Sequence, residues 1–247
     1  MHKFLGVLGA LVVALALTAV AQATPAGWSD NFNGGAQQAW TFRDGGTGSQ
    51  ALFQNNQLKM STSSPPALAM LAGYVSESYT DVLMQARVQT VSQTDNYLAY
   101  LLARANPATM SGYVLGVGSP GGNSEEHLWL GKLTNGTYSR LADLAVQPDF
   151  NWNDCQAELL VIGNTLYGKV WTTGTAEPDW QIQVTDSSYA SGVGGVMTAT
   201  YPTLGWNSVQ VAFDDVSATA VPEPITMCGL LLGIGCLTRY VRNRRAA

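Results

Sequence analysis

The chain has 247 residues, 17 of them acidic and 12 basic, which gives a formal net charge of −5 at pH 7. Residues 24–220 are more acidic than the chain as a whole, since they hold 16 acidic and 7 basic residues, a net charge of −9. A surface of this sign repels nucleic acid and anionic lipid, so the composition excludes a nucleic-acid partner and is compatible with neutral sugars, cations or basic partners.

Residues 1–23 have the three parts of a secretory signal peptide. A short basic start precedes an uninterrupted apolar run over residues 5–20, and Ala21 and Ala23 are the small residues expected before a cleavage site. The length of the apolar run leaves an uncleaved membrane anchor as the alternative. We expect cleavage, with the mature chain beginning near Thr24.

Residues 24–220 predict one all-β domain. No segment there shows a sustained helical period with caps, whereas many short β-rich runs are bounded by turn-forming residues. The clearest strands are predicted over residues 81–89, 97–104, 112–117, 127–133, 158–162, 165–171 and 209–216. Asn135-Gly136 and Gly163-Asn164 predict hairpin turns between successive strands. This spacing predicts a sandwich of antiparallel sheets.

Side chains with oxygen ligands near the two ends of this domain form a candidate Ca²⁺ site. Asp30 and Asn33 lie near its start, and Asp214 and Asp215 lie near its end. If the terminal strands pair, these carboxylate and amide oxygens come together, and they are the ligands that Ca²⁺ prefers. The alternative is a turn at Asp30 and two solvated aspartates at a strand end. Cys155 is the single cysteine of the domain, so an internal disulfide is excluded.

Aromatic and polar residues of three predicted strands form a candidate sugar site. Aromatic rings stack on the apolar face of pyranose rings, and neighbouring polar groups bond the hydroxyls. The set is Tyr100, Arg104, Tyr113, His127 and Trp129. Period-two alternation places Tyr100 with Arg104, and His127 with Trp129, on one face of each strand. Arg104 ends an apolar strand and therefore needs water, a partner or a ligand. The alternative is a set of core residues with one solvated arginine.

The C-terminus combines three ordered elements. The first is the motif Val221, Pro222, Glu223 and Pro224. An uncharged Leu/Gly-rich run over residues 225–238 follows, and it predicts an apolar helix of about 21 Å, a marginal span for a hydrocarbon core of ~30 Å. The basic end of the chain includes Arg242, Arg244 and Arg245. We expect this basic end to stay cytoplasmic while the domain lies outside.

This order of elements resembles the PEP-CTERM sorting signal of Gram-negative bacteria. The resemblance covers residues 221–247 and implies recognition and cleavage by an exosortase-type membrane transpeptidase. Attachment to the inner membrane would then be transient. The resemblance further implies a final destination at the cell surface or in the extracellular matrix, often that of a biofilm. The alternative is a plain tail anchor.

The order of strands in the domain resembles the concanavalin A-like, laminin-G-like jelly rolls. The resemblance rests on the opening segment around Trp28, the apolar strand that ends at Arg104, the run of residues 158–170 that follows Trp152, and the closing residues 213–216. It implies an antiparallel jelly-roll β-sandwich of the concanavalin A-like lectin/glucanase type. It also supports a calcium site near the paired termini.

The sequence offers little for catalysis. Glucanases of the resembled fold carry carboxylates that alternate along one strand and flank the scissile bond. Here Glu125 and Glu126 are adjacent, and Glu158 alternates with no second acid. His127 is the single histidine of residues 24–220, so a Ser-His-Asp triad would depend on it alone. We therefore expect a protein without enzymatic activity.

The sequence thus predicts three regions: a signal peptide over residues 1–23, a β-sandwich over residues 24–220, and a sorting and anchoring segment over residues 221–247. We expect an exported surface or extracellular-matrix protein that binds or scaffolds extracellular polysaccharide, with Ca²⁺ as its cofactor. Two alternatives stay open, a glycan-active hydrolase of the same fold and a purely structural matrix or adhesion protein.

Overall fold

The computed structural model describes residues 27–44, 48–63, 69–91, 98–118, 127–145, 150–200 and 208–222. The strands belong to one compact unit, Gly27–Val221. The predicted signal peptide and C-terminal helix lie outside the described residues, as do Glu223, Pro224, Arg242, Arg244 and Arg245. In the described part of the chain, no helix has the length and apolar character needed to span a bilayer.

Fifteen strands make up the described part of the domain. The first eight are β1 (Trp28–Asp30), β2 (Trp40–Asp44), β3 (Gln50–Phe53), β4 (Leu58–Ser63), β5 (Met70–Tyr79), β6 (Val82–Thr90), β7 (Leu98–Asn106) and β8 (Ser111–Gly118). The other seven are β9 (His127–Thr134), β10 (Thr137–Ala145), β11 (Asp154–Ile162), β12 (Thr165–Thr172), β13 (Ile182–Thr185), β14 (Gly192–Ala199) and β15 (Ser208–Ala220).

The strands form two sheets. The first sheet has the order β13-β12-β11-β6-β15-β4-β3, with β1 paired to β15, and the second has the order β10-β9-β8-β7-β14-β5-β2. Neighbours within each sheet run antiparallel. The predicted all-β antiparallel sandwich is therefore confirmed.

Local sequence explains the β9–β10 hairpin. Asn135 and Gly136 form its two-residue turn, with φ angles of 51° and 75°. A type I′ turn needs positive φ at both central positions, and Asn-Gly supplies it at the lowest steric cost. The turn is the one predicted from the sequence.

The space between the sheets is filled by one side of each strand. A Cβ added to Gly168 of β12 would lie 2.4 Å from Leu115 of β8 and 3.6 Å from Leu130 of β9. These two leucines therefore point at the first sheet. Because side chains alternate along a strand, Gly116 and Trp129 point away from it, toward the outer face of the second sheet.

The outer faces of the two sheets differ in polarity. Along β6 in the first sheet, buried and half-buried residues alternate from Val82 to Gln89, and the half-buried positions carry Gln85 and Arg87. Along β7 in the second sheet, the eight residues from Leu98 to Ala105 are all buried. The middle of the first sheet therefore presents a polar outer face, whereas the middle strand β7 of the second sheet is covered on both faces.

The terminal strands of the domain pair, which is the condition that the candidate Ca²⁺ site required. β1 lies against β15, with Asp30 opposite Val216. At the end of β15, the backbone N–H of Val221 donates to the carbonyl of Asp81 at 3.1 Å. Pro222 follows, and its missing N–H ends the ladder there.

Candidate functional site

The structure divides the predicted sugar site between two faces. Tyr100, Gly116 and Trp129 lie opposite one another on β7, β8 and β9, on the outer face of the second sheet. The Tyr100 and Trp129 rings contact edge to face, with centroids 6.2 Å apart. Both residues are only 4% exposed, so neither ring offers a free face to a sugar. Their prediction as sugar-stacking residues is corrected on this ground.

Arg104 is a buried structural residue, contrary to its predicted role. It lies at an irregularity in the β7–β8 pairing and has φ of 48°, so period two no longer places it with Tyr100. Its guanidinium donates to the Asp81 carboxylate at 3.0 Å, to the Tyr189 carbonyl at 2.9 Å, and to the Thr80 carbonyl. The guanidinium of Arg104 is therefore paired inside the protein and is not available to a ligand.

Tyr113 is also corrected, because it faces the interior. Its hydroxyl donates to Asp186 at 2.9 Å and accepts the backbone N–H of Tyr189 at 3.1 Å. Burial raises the pKa of Tyr113 to about 12. Lys132 Nζ also contacts Asp186, at 2.6 Å. These bonds tie the segment around Asp186 to the second sheet.

His127 lies at the margin of the second sheet. Its Nδ1 is 2.8 Å from the Asp143 carboxylate on the edge strand β10, and Arg140 contacts the same carboxylate at 2.5 Å. The ring shares the outer face with Trp129 and is half-buried. Within the described ranges, the hydrogen bond of His127 is to Asp143, and His127 does not join Tyr113 and Arg104.

Asp30 does not fit a calcium ion. It is 0% exposed, and both carboxylate oxygens accept N–H groups at 2.8–3.0 Å. The donors are the backbone N–H groups of Phe32, Gln37 and Gln38 and the indole of Trp40. Because an N–H donor occupies the lone pairs that a cation would need, Asp30 stabilises the loop after β1.

The other predicted calcium ligands do not gather around Asp30. Asn33 is exposed, Asp214 lies opposite Arg87, and the backbone N–H of Asp215 donates to Asp214 at 2.8 Å. Within the described ranges, no group of three or more His, Cys, Asp or Glu residues could hold a metal ion. The predicted four-residue set is therefore corrected.

An exposed aromatic cluster on the outer face of the first sheet is the better candidate site. We define the Trp180 cluster as Tyr167, Lys169, Trp171, Glu177 and Trp180. The first three alternate along β12 and therefore share one face. Trp180 is 37% exposed, and its ring packs 5.8 Å from that of Tyr167.

Lys169 holds this cluster together. Its Nζ lies over the Trp180 ring at 4.4 Å and over the Trp171 ring at 5.5 Å, distances at which a cation is attracted to the ring face. The same ammonium contacts Glu158 at 2.9 Å and also Glu177. Burial alone would lower the pKa of Lys169, but the hydrogen bonds and charges of the two glutamates outweigh it, and the pKa is raised.

Two exposed groups of the Trp180 cluster are in a position to contact a ligand. Lys169 supports one side of the Trp180 indole, and the exposed fraction of this ring leaves apolar surface for a sugar. Glu177 is 55% exposed on its side chain and offers carboxylate oxygens beside the ring. An aromatic platform with an adjacent acceptor matches the requirements of a pyranose ring and its hydroxyls.

The sequence contains a signal for part of this cluster, although the predicted sugar site did not include it. The spacing Tyr167, Lys169, Trp171 within a predicted strand places three side chains on one face. Trp180 comes from the segment before β13 and reaches β12 only through the fold. That contact is not readable from spacing.

No family model matches the sequence, and no curated protein matches it. Solved structures with a similar fold include a carbohydrate-binding module, CBM66 from Bacillus subtilis, with a TM-score of 0.55 and 14% identity over 74% of this chain and 96% of that one. A prokaryotic β-1,3-1,4-glucanase (lichenase) from a mouse hindgut metagenome has a TM-score of 0.55, with 13% identity over 79% of this chain and 100% of that one.

A third similar structure is the exoplasmic/lumenal domain of VIP36 in its Ca²⁺/Man3GlcNAc-bound form. Its TM-score is 0.51, with 11% identity over 74% of this chain and 85% of that one. At these identities the likeness establishes the concanavalin A-like sandwich fold.

Proposed function

We propose that this protein binds glycans without cleaving them, and that the Trp180 cluster is the binding site. The observation that carries the proposal is an exposed indole held in place by a buried, paired ammonium group. A rigid aromatic ring loses little conformational entropy on binding, which favours it as a sugar platform. The similar structures support the proposal, since they include a carbohydrate-binding module and a glycan-bound domain.

The arrangement of carboxylates favours binding over hydrolysis. A retaining glycosidase needs two carboxyl groups on either side of the scissile bond, one of them protonated as the general acid. Here Glu158 and Glu177 both contact the Lys169 ammonium. Both carboxylates are therefore held in ion pairs by the same ammonium group, an arrangement that favours binding over hydrolysis.

We also propose export and sorting from the terminal segments. The signal peptide of residues 1–23 would direct export, and the PEP-CTERM-like segment of residues 221–247 would serve an exosortase-type transpeptidase. The final strand of the domain ends at Ala220, directly before that motif. A glycan-binding protein at the surface or in the matrix of a Gram-negative cell is consistent with this route. Calcium at Asp30 has no part in the proposal.

Binding is tested with Trp180→Ala in the full-length protein. Affinity electrophoresis through gels containing soluble β-1,3-glucan, β-1,3-1,4-glucan or mannan should show retardation of the wild type by at least one glycan. Loss of a central aromatic anchor should lower that affinity at least about tenfold. Phe53→Ala is the matched control, because Phe53 is 38% exposed and lies on the distant edge strand β3. Unchanged retardation of Trp180→Ala would refute the assignment.

Hydrolysis is tested with the same glycans. Incubation with the wild type should release no reducing ends above those of a heat-inactivated sample. Release that disappears in Glu158→Gln or Glu177→Gln would instead establish the hydrolase alternative.

A further inference from the structure

The Trp180 cluster continues into a row of side chains that crosses the first sheet. Trp171 on β12 lies opposite Gln156 on β11, Gln156 lies opposite Arg87 on β6, and Arg87 lies opposite Asp214 on β15. Neighbouring strands are ~4.8 Å apart, so four strands span about 14 Å. This distance exceeds the length of a single sugar ring, and the row therefore fits a longer ligand.

Gln156 is an unused hydrogen-bonding group in the middle of this row. It is half-buried, and its amide makes no hydrogen bond with any other described residue. A primary amide offers two donors and one acceptor, which suits sugar hydroxyls. Its position beside Trp171 places it next to the proposed platform.

A second row of side chains runs parallel to the row that contains Gln156, and hydrogen bonds and ion pairs fix its polar groups. Lys169 contacts Glu158, the Gln85 amide donates to Glu158, and the Ser217 hydroxyl donates to Gln85 at 3.4 Å. These groups hold one another in place along the same four strands. A ligand lying over them would meet pre-ordered side chains and lose less entropy on binding.

The charges of the two rows disfavour an anionic ligand. Arg87 makes a two-point contact with Asp154 at 2.7 and 2.6 Å, and Lys169 is shared by two glutamates. Asp214 and Asp215 add further negative charge near Arg87. Both cations of these rows are already neutralised, so a uronate or sulfated chain would meet excess negative charge.

We infer that the ligand is an extended, uncharged glycan chain that crosses β12, β11, β6 and β15, with Gln156 as a binding residue beyond the Trp180 cluster. The inference rests on the proposed function. Beyond that function, it specifies a long and uncharged ligand. Several sugar rings of this ligand would lie across the four strands.

The test measures the affinity of the full-length protein for uncharged β-1,4-linked glucose oligosaccharides, from the disaccharide to the hexasaccharide, by titration calorimetry. Affinity should rise with length. Gln156→Ala should weaken hexasaccharide binding roughly fivefold, the value of one hydrogen bond of ~1 kcal/mol, and leave disaccharide binding unchanged. Gln210→Ala is the matched control, since Gln210 is also half-buried but pairs with Ser61, away from both rows.

The outcomes separate this inference from the proposed function. If Trp180→Ala weakens every oligosaccharide while Gln156→Ala weakens none, the crossing chain is wrong and the platform stands. If neither variant weakens binding, the proposed site fails and the inference fails with it. Oligouronates of equal length should bind at least about tenfold more weakly, and equal affinity would overturn the uncharged class. Unchanged thermal unfolding of Gln156→Ala confirms that the comparison reports binding.

Discussion

The outer faces of the two sheets use aromatic residues in opposite ways. On the second sheet, Trp129 lies directly over Gly116, where an added Cβ would be 2.0 Å from the indole nitrogen. On the first sheet, Trp180 lies over the Lys169 ammonium and remains 37% exposed. A ring over glycine lies close to the backbone and becomes part of the packed structure. A ring over a paired cation keeps an outward surface.

The comparison shows that residue type does not identify a sugar site. Tyr100, Trp129 and Trp180 all have the aromatic character that stacking requires. Of these three, only Trp180 is exposed, and the exposed carboxylate of Glu177 lies beside it. Four variants test whether the second sheet governs stability while the outer face of the first sheet governs binding.

The largest effect is expected from Arg104→Ala. This variant leaves Asp81 buried without its charge partner, which costs about 3–5 kcal/mol of unfolding free energy. Denaturant unfolding measures the change. Arg140→Ala is the control, because its pair with Asp143 is more exposed and should contribute only ~0–1 kcal/mol. A stable Arg104→Ala protein with lost glycan binding would restore Arg104 as a ligand residue.

A smaller effect is expected from Gly116→Ala. The new methyl group would collide with the Trp129 indole, and overpacking of this kind costs about 1–3 kcal/mol. In a Trp129→Ala background the same substitution should cost much less, since the colliding ring is gone. If Gly116→Ala lowered the unfolding free energy equally in both backgrounds, the collision with Trp129 would not be the cause of the destabilisation.

Asp186 should make stability depend on acid pH. Burial would raise its pKa, but hydrogen bonds from Lys132, Ser188 and Tyr113 outweigh it and lower the pKa below the usual range. A lowered pKa stabilises the fold above the unfolded-state pKa of about 3.9, and this contribution is lost as pH falls further.

Asp186→Asn should therefore be less stable at pH 7 by roughly 1–3 kcal/mol and should lose less stability between about pH 5 and pH 2. Unfolding free energies measured across this range test the expectation. Parallel curves for the variant and the wild type would contradict it. Glycan affinity at pH 7 should be unchanged, because Asp186 packs against the second sheet.

The smallest effect on stability is expected from Trp180→Ala. The ring is partly exposed, and its cation–π contact with Lys169 should contribute about 0.5–1 kcal/mol. Thermal unfolding should therefore change little while glycan affinity falls. A loss of stability as large as that of Arg104→Ala would place Trp180 in the structural group instead.

Local pattern predicted much of the fold. Period-two alternation in β6, the apolar run of β7 and the Asn135-Gly136 turn all predicted elements that the structure contains. The strand β14 was not predicted, since three of its first four residues are Gly192, Gly194 and Gly195. Glycine has low β propensity, and here it permits close approach to neighbouring strands.

The sequence by itself determined the class of fold, because alternation and turn residues act over a few neighbouring positions. Tertiary structure decided the site. A single irregularity in β7 turned Arg104 toward Asp81, and four N–H donors occupied the Asp30 carboxylate. Exposure and hydrogen-bond partners depend on residues distant in the chain, so only the packed sandwich determines which aromatic ring remains in contact with water.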